Sequence, residues 1–195
     1  MTSRRRMGSE SSETHSLILD IAERIMRGHG YAAVTSRRLA KEAGLSPQIV
    51  YYYFKTMDEI FEAVFARIAQ FYLAELETAA EQADPLVAIW ELNSSHSRAV
   101  IETEILALTN HRKELRTRVA EFGAAYSVRE SEIIARELER REIDSTRLPP
   151  AVMASIFENL ARGFAMGEGF AIGNHLEARA FIEQSIRQLA RTPTA

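Results

Sequence analysis

An all-helical fold with about nine helices is predicted by two features of this sequence. After residue 14, apolar residues recur with the 3.6-residue period of a helix. No run alternates apolar and polar residues between turn signals, as a half-buried strand would. With 46% hydrophobic residues in 195, the chain can bury a core. Because it has no cysteine, disulfide scaffolds, thiolate zinc sites and thiol nucleophiles are excluded.

The first predicted helix begins near residue 14 and ends in glycines, and a short second helix follows it. Gly28 and Gly30 should stop the first helix. Thr35 or Ser36 can cap the second helix. Gly44 ends it in the left-handed conformation that is open to glycine.

A serine and a proline mark the start of a third helix. Ser46 is predicted as the N-cap, whose side chain accepts a backbone N–H bond, and Pro47 takes the first helical position. This helix runs to Lys55. Thr56 and Glu59 then have the spacing of a capping box, which opens a long fourth helix reaching about residue 80.

Five later helices are predicted from similar signals. Asp84 and Pro85 repeat the combination of a cap and a proline, and start the fifth. Gly167, Gly169 and Gly173 should end the eighth. The remaining boundaries are roughly residues 98–109, 114–141, 151–166 and 176–190.

Charge is distributed unevenly along the chain. Residues 1–55 hold nine basic and five acidic side chains, whereas residues 56–195 hold 15 basic and 22 acidic ones. A basic first quarter favours contact of that end with a polyanion. The longest segment free of charged residues has 12 residues, whereas a membrane-spanning helix needs about 20. Residues 1–16 contain no apolar segment of the kind that a secretory signal needs, so no such signal is expected. A cytoplasmic location without membrane contact is therefore expected.

The two short helices form a helix-turn-helix unit, whose second helix can lie in the DNA major groove. With its apolar side turned inward, the unit presents basic, hydroxyl, amide and aromatic side chains and no carboxylate. Its outward members are Ser36, Arg37, Lys41, Pro47, Gln48, Tyr51, Tyr52 and Lys55. Gln48 can form paired bonds with an adenine edge, and the tyrosines can contact phosphate or a thymine methyl.

Several short segments over about residues 14–65 resemble the N-terminal domain of the tetracycline-repressor (TetR) family. They are Gly30-Tyr31, Val34-Thr35-Ser36-Arg37-Arg38-Leu39-Ala40, Ala43-Gly44-Leu45-Ser46-Pro47, Val50-Tyr51-Tyr52-Tyr53-Phe54 and Glu59-Ile60-Phe61. The resemblance implies a homodimeric, ligand-responsive transcriptional regulator, usually a repressor released from a palindromic operator by a small-molecule inducer. It also implies a variable C-terminal domain that binds the inducer and dimerises through its last two helices.

Carried over to this chain, the family's DNA contacts fall at the start of the second helix and along the third. The predicted DNA-binding residues are Thr35, Ser36, Arg37, Ser46, Pro47, Gln48, Tyr51, Tyr52 and Lys55. Where the family commonly has a lysine, this chain has Met57, and Lys55 can replace that phosphate contact. Ile49 is more apolar than the residue often found there, which favours contact with a thymine methyl.

The predicted organisation has three parts: a disordered basic arm over residues 1–13, a helix-turn-helix domain over 14–56 and a helical effector-binding and dimerisation domain over 57–195. Arg4, Arg5 and Arg6 of the arm either enter an adjacent minor groove or form a solvated tail. Deletion of residues 1–12 distinguishes the two, since only an arm that contacts DNA contributes to affinity and to its salt dependence.

The second half offers aromatic and polar side chains for an effector pocket. The predicted ligand-binding residues are Trp90, His96, Phe122, Tyr126, Phe157 and Arg162, with Phe164, Glu102 and Asn159 as further candidates. Any single aromatic among them can equally fill the core. A small, largely apolar effector is expected. DNA as partner, homodimerisation, and the lack of cofactor, metal and catalytic residues complete the prediction.

Two rival functions remain open from the sequence. A helical enzyme is disfavoured because none of the five histidines follows a Glu at the three-residue spacing of a di-iron bundle. No serine lies in a Gly-x-Ser-x-Gly elbow either. A helical adaptor that binds protein through the acidic C-terminal half is the second rival. Only a regulator binds DNA tightly, sequence-selectively and with strong salt dependence.

Overall fold

The computed structural model describes residues 3–170 and 175–189, and their side chains over residues 12–167 and 176–189. Within these ranges it has nine α-helices, a 3₁₀ turn at Tyr31–Ala33 and no strand. The helices are α1 Ser3–His29, α2 Ser36–Ala43, α3 Pro47–Tyr53, α4 Met57–Ala80, α5 Pro85–Asn93, α6 His96–Thr109, α7 Lys113–Arg140, α8 Pro150–Phe170 and α9 His175–Leu189. The predicted all-helical class is confirmed.

The chain forms two compact units, and each unit consists of two separate segments of the sequence. The first comprises Met1–Ala69 and Thr103–Leu115, and the second comprises Gln70–Glu102 and Arg116–Ala195. Both α4 and α6 contribute residues to each unit. The division therefore differs from the predicted boundary at residue 56, because a cut at one point of the sequence cannot assign 103–115 to the first unit.

The first unit is built around α1, α2 and α3. Ile18, Ile25 and Leu39 are fully buried in its core, and Val50 of α3 is 1% exposed. His15 of α1 packs against the Phe54 ring at 4.7 Å between ring centroids. These contacts turn the apolar side of α3 inward, as the sequence predicts.

The helix α1 begins earlier than predicted. It starts at Ser3 rather than near residue 14, so the segment predicted as a disordered arm is helical from Ser3 onward. Arginine, methionine and glutamate in this segment have high helix propensity, and extending an existing helix avoids the cost of nucleation. The side chains of Arg4, Arg5 and Arg6 lie outside the described ones, and their contact with DNA stays a prediction.

Local signals fix both ends of α2. Thr35 is its N-cap, with a hydroxyl that accepts a bond from Arg38 N at 3.2 Å. Gly44 follows its last residue with φ of 66° and donates its N–H to the carbonyls of Ala40 and Lys41. Both features were predicted, because each depends only on residues within one helical turn.

Ser46 caps α3 in a different way from the one predicted. Its hydroxyl makes no capping bond; instead, its carbonyl accepts Ile49 N at 3.0 Å. Pro47 has no N–H group, and the Ser46 carbonyl already accepts the N–H of Ile49. The predicted side-chain cap was therefore wrong, although the helix begins at Pro47 as expected.

Replacing Gly44 by alanine is expected to lower the free energy of unfolding by about 1–2 kcal/mol, because a Cβ is disfavoured in the left-handed region. An added Cβ has no heavy atom within 4 Å at this site, so the cost is conformational alone. Gly123, inside α7 and equally open around its Cβ, is the matched control. There alanine should raise stability by about 0.5–1 kcal/mol. Urea unfolding followed by helical circular dichroism measures both; changes of the same sign would contradict the expectation.

The start of α4 uses half of the predicted capping box. Thr56 Oγ1 accepts Glu59 N at 3.1 Å, as expected. The Glu59 carboxylate accepts a bond from Lys55 N at 2.7 Å rather than from Thr56 N. The bond ties the end of α3 to the first turn of α4.

The second unit has its own helical core. Trp90 and Ile89 of α5 are fully buried, as are Ile134 of α7 and Ala161 of α8. The predicted cap of α5 is confirmed, since Asp84 Oδ1 accepts Val87 N at 3.3 Å.

The helix α8 ends later than predicted. It continues through Gly167 and Gly169 to Phe170, although both glycines were expected to stop it. A helical glycine costs only about 1 kcal/mol, which burial of neighbours such as Ala165 can outweigh. Gly173 lies outside the described residues. Among the described helices, none is both long and apolar enough to cross a membrane.

Candidate nucleic-acid interface

The outward side of α2 and α3 carries exposed polar and aromatic side chains. Tyr52 is 72% exposed and Tyr51 is 50% exposed, although aromatic rings of this size are usually half-buried or more. Gln48 and Arg37 are also exposed. This set supplies an amide, two phenols and a guanidinium, which are groups that contact base edges and phosphates.

Two hydrogen-bonded contacts order the tyrosines on this face. The hydroxyls of Ser36 and Tyr51 lie 3.2 Å apart and join α2 to α3. Lys55 Nζ donates to the carbonyls of Tyr51 and Tyr52 at 3.3 and 3.2 Å, and lies 5.6 Å from the Tyr52 ring centroid. The ammonium group thereby satisfies the C-terminal carbonyls of α3.

The carboxylate of α2 is neutralised by its neighbours. Glu42 accepts bonds from Arg38 Nε at 2.8 Å and from Arg24 Nη2 at 2.6 Å. These two arginines, Arg38 first, hold the pKa of the Glu42 carboxyl below its usual value. The carboxylate therefore does not oppose a nearby polyanion as a free charge would.

Eight of the nine predicted DNA-binding residues are exposed. They are Thr35, Arg37, Ser46, Pro47, Gln48, Tyr51, Tyr52 and Lys55, and the ninth, Ser36, is half-buried beside Tyr51. We call this set the recognition face. Met57, which stands where the family commonly has a lysine, is half-buried, whereas Lys55 is exposed at the end of α3, with its Nζ bonded to the carbonyls of Tyr51 and Tyr52.

A contact from α6 holds the 3₁₀ turn that precedes α2 within the first unit. The Glu104 carboxylate accepts Tyr31 N at 2.7 Å. Gly30, with φ of 80°, passes so close that a Cβ there would lie 3.3 Å from Glu104 Oε2. Sequence reasoning missed Glu104, because it lies 73 positions from its partner and no local pattern marks it.

Three of the predicted effector residues form part of the aromatic core of the second unit. Trp90 packs edge-on against Phe157 at 5.8 Å between ring centroids, and Tyr126 lies 5.8 Å from Phe122. Trp90, Tyr126 and Phe157 are buried, whereas Phe122 is half-buried. Phe164 completes the group at 6.1 Å from the Trp90 ring.

The predicted polar members have partners of their own. His96 Nδ1 lies 3.3 Å from the Ala165 carbonyl. Arg162 Nε donates to Glu102 Oε2 at 3.1 Å. Asn159, in contrast, is exposed and donates to the Ser155 carbonyl at 2.7 Å. It is therefore occupied within its own helix and does not join the aromatic group.

A buried polar network in the second unit was not predicted. Arg98 Nη1 donates to Asn93 Oδ1 and to the Tyr126 hydroxyl, both at 2.8 Å, and its Nε donates to Glu102 Oε1 at 2.6 Å. Asn93 Nδ2 donates in turn to Glu130 Oε1 at 3.0 Å. A signal for it exists, because Glu130 lies midway between buried Tyr126 and Ile134 on one face of α7.

Burial and neighbouring charges shift the pKa values in this network. Burial raises the pKa of the Glu130 carboxyl to about 8, and the charge of Glu158 adds to the rise. Burial likewise raises the pKa of Tyr126 above its ordinary value. For Arg98, burial disfavours the charged form, but Tyr126 and Glu102 outweigh it, so the pKa is raised and the guanidinium stays charged.

The N-terminal part of the chain matches a known sequence family. Residues 18–64 match the model of the bacterial regulatory proteins of the tetR family. This range contains α2 and α3 completely. None of the curated protein sequences matches the chain at a significant level.

Solved structures share the fold over most of the chain. A TetR transcription regulator from Haloarcula marismortui is 18% identical, covers 92% of this chain and 97% of its own, and has a TM-score of 0.72. A protein from Saccharomonospora viridis described as a transcriptional regulator, in complex with choline, is 16% identical, covers 91% of this chain and 95% of its own, and has a TM-score of 0.74. FadR from Bacillus subtilis, in complex with stearoyl-CoA, is 20% identical, covers 88% of this chain and 96% of its own, and has a TM-score of 0.62. At these identities the likeness establishes the fold.

Proposed function

We propose that the chain, whose residues 18–64 match the model of the bacterial regulatory proteins of the tetR family, is a ligand-responsive transcriptional repressor that a small-molecule inducer releases from a palindromic operator. The observation that carries the proposal is the recognition face. Gln48 and Tyr52 are exposed on α3, and the nearby Glu42 is paired with two arginines. A helix with such side chains can enter the major groove and read base edges.

Symmetric DNA binding needs two copies of the recognition face, which we attribute to a homodimer through α8 and α9. Val152, Ile156 and Leu160 are exposed at four-residue spacing along α8. Leu176 and Phe181 of α9 are 72% and 67% exposed. Apolar faces on two such helices support a four-helix bundle across a two-fold axis. The half-sites would then be about 34–36 Å apart.

The proposed inducer site is the aromatic core of the second unit, with Trp90, Phe122, Tyr126 and Phe157 as lining residues. Support comes from two relatives of the same fold, which hold stearoyl-CoA and choline. Effector and DNA must weaken each other's binding by one common factor, because the coupling free energy between two sites is reciprocal.

Selection of bound duplexes from a random DNA pool tests the proposed function. Near-palindromic winners, bound with strong salt dependence, are the expected result. Binding without sequence preference, or none, would overturn the proposal and favour the adaptor.

Gln48→Ala is expected to reduce affinity for a selected operator by about 1–3 kcal/mol and to change binding to random DNA little, because Gln48 would read a base. Arg37→Ala, also on the recognition face, is the matched variant, and it should weaken binding to all sequences alike. Fluorescence anisotropy with labelled duplexes measures both. Equal losses on operator and random DNA for Gln48→Ala would contradict base reading.

A further inference from the structure

The second unit contains two carboxylates that keep unused hydrogen-bonding capacity. Glu130 is 0% exposed; its Oε1 accepts Asn93 Nδ2, while its Oε2 has no hydrogen-bond partner in the described part of the chain. Glu158 of α8 is half-buried and takes a bond from Ser127, yet its buried Oε1 also lacks a donor among the described residues. Buried polar atoms without partners are rare, because the desolvation cost is not recovered.

The charges around this pair leave one negative charge uncompensated. The two arginines of the network, Arg98 and Arg162, both donate to Glu102, at 2.6 and 3.1 Å. Among the described residues, the structure shows no hydrogen bond from either arginine to Glu130 or Glu158. Three carboxylates thus face two guanidiniums. In the free protein a proton makes up the difference, since burial and the charge of Glu158 raise the pKa of Glu130 to about 8.

A buried donor without an acceptor lies on α5, the helix that carries Asn93. Trp90 is 0% exposed, and its Nε1 has no acceptor within the described residues. It lies one turn before Asn93 on α5, and its ring packs against Phe157, which directly precedes Glu158 on α8. The faces of these aromatic rings favour a positive charge. We call Glu130, Glu158 and Trp90 the carboxylate–indole cluster.

We propose that the carboxylate–indole cluster binds an organic ammonium ion that carries an oxygen acceptor, and that this ion is the effector. Its N–H donors satisfy Glu130 Oε2 and Glu158 Oε1, its oxygen accepts from Trp90 Nε1, and its single charge completes the balance. The proton on Glu130 leaves as the cation enters. The inference rests on the proposed function for the word effector, and it replaces the largely apolar effector expected from the sequence.

Trp90 is the only tryptophan of the chain, so its fluorescence reports binding directly. The full-length protein is titrated with amino alcohols from ethanolamine to 6-aminohexan-1-ol, with the matching diols as uncharged controls and choline as a cation without N–H donors. A saturable response to at least one amino alcohol is expected, with weaker binding of choline and none of the diol. No response to any amino alcohol, or equal response to the diol, overturns the proposal.

The pH dependence and two variants sharpen the test. Because a proton is displaced, the dissociation constant should fall by up to about tenfold per pH unit between pH 6 and 8. Glu130→Gln and Glu158→Gln should each weaken binding by about tenfold or more, and Glu130→Gln should reduce the pH dependence. Glu139→Gln, exposed on the same helix, is the matched control and should change neither. Unchanged affinity in both cluster variants, with helical circular dichroism intact, overturns the assignment.

Failure of the site and failure of the proposed function are distinguishable. If the protein binds a selected operator while no amino alcohol changes the Trp90 signal, the ammonium site is wrong and the regulator stands. If amino alcohols bind but no duplex is selected, the site stands and its role as an effector site is wrong. Release of labelled operator by the amino alcohol that binds best supports both.

Discussion

Replacing Arg98 by methionine is expected to lower the free energy of unfolding by about 3–5 kcal/mol, because it leaves buried partners without their charge. Arg98 is only 5% exposed. Its guanidinium bonds to Asn93, Glu102 and Tyr126, and lies 4.6 Å from the centroid of the Tyr126 ring. Methionine fills much of the same volume but donates nothing to these acceptors.

The control for this prediction is an arginine of the same unit that bridges carboxylates at the surface. Arg129 donates to both oxygens of Glu77 at 2.6 Å and to Glu132 at 2.9 Å, with a third of its side chain exposed. Arg129→Met should cost at most about 1 kcal/mol, since water solvates the carboxylates that it leaves. Chemical unfolding at neutral pH measures both variants, and similar losses would contradict the expectation.

A double variant separates lost charge from lost packing. Glu102 pairs with Arg98 and also accepts from Arg162, so Arg98→Met combined with Glu102→Gln removes one charge of each sign and keeps the net charge of the network. The double variant should unfold at a higher denaturant concentration than Arg98→Met alone, because the network no longer carries the additional negative charge. Additive losses would show that packing dominates.

The parts of the fold that the sequence predicts well are those set by neighbouring residues. The Thr35 cap, the left-handed Gly44 and the Asp84 cap are each decided within one turn of helix, and all three are present. The recognition face follows from the same logic, since the inward side of α3 is fixed by the position of Val50. Ser46 shows the limit, because its carbonyl rather than its hydroxyl accepts the N–H of Ile49.

What the sequence could not predict depends on residues far apart in the chain. Glu104 reaches Tyr31 N across 73 positions, and Glu130 meets Asn93 across 37. The helical period shows Glu130 as a charged residue on the apolar face of α7. This pattern is equally compatible with a point at which the apolar face is interrupted. The helix α8 passes Gly167 and Gly169, each of which costs only about 1 kcal/mol in a helix, so the glycines did not mark its end. Local rules identify neither the partner of Glu104 nor that of Glu130.

The stability of the ligand-free protein is expected to fall as pH rises from about 5 to about 8, and Glu130 should be a main cause. In the unfolded chain this carboxyl has its ordinary pKa of 4.5, whereas in the folded protein burial, with the charge of Glu158, raises the pKa to about 8. Between these values the folded state holds a proton that the unfolded state has lost. The contribution of Glu130 to stability is therefore fully present below pH 4.5 and is lost as pH rises through about 8.

Glu130→Gln should remove this contribution, because the amide is neutral at every pH and still offers an oxygen to Asn93 Nδ2. The difference in unfolding free energy between wild type and variant should change by up to about 1.4 kcal/mol per pH unit, in favour of the variant at higher pH. Taking this difference cancels the groups that both proteins share and that do not interact with Glu130, whereas Glu158, whose charge acts on Glu130, contributes to the difference. Urea unfolding at pH 5, 6, 7 and 8 measures it, with Glu139→Gln as the exposed control. A difference independent of pH would show that Glu130 is charged in the folded protein and that a neighbouring cation already compensates it.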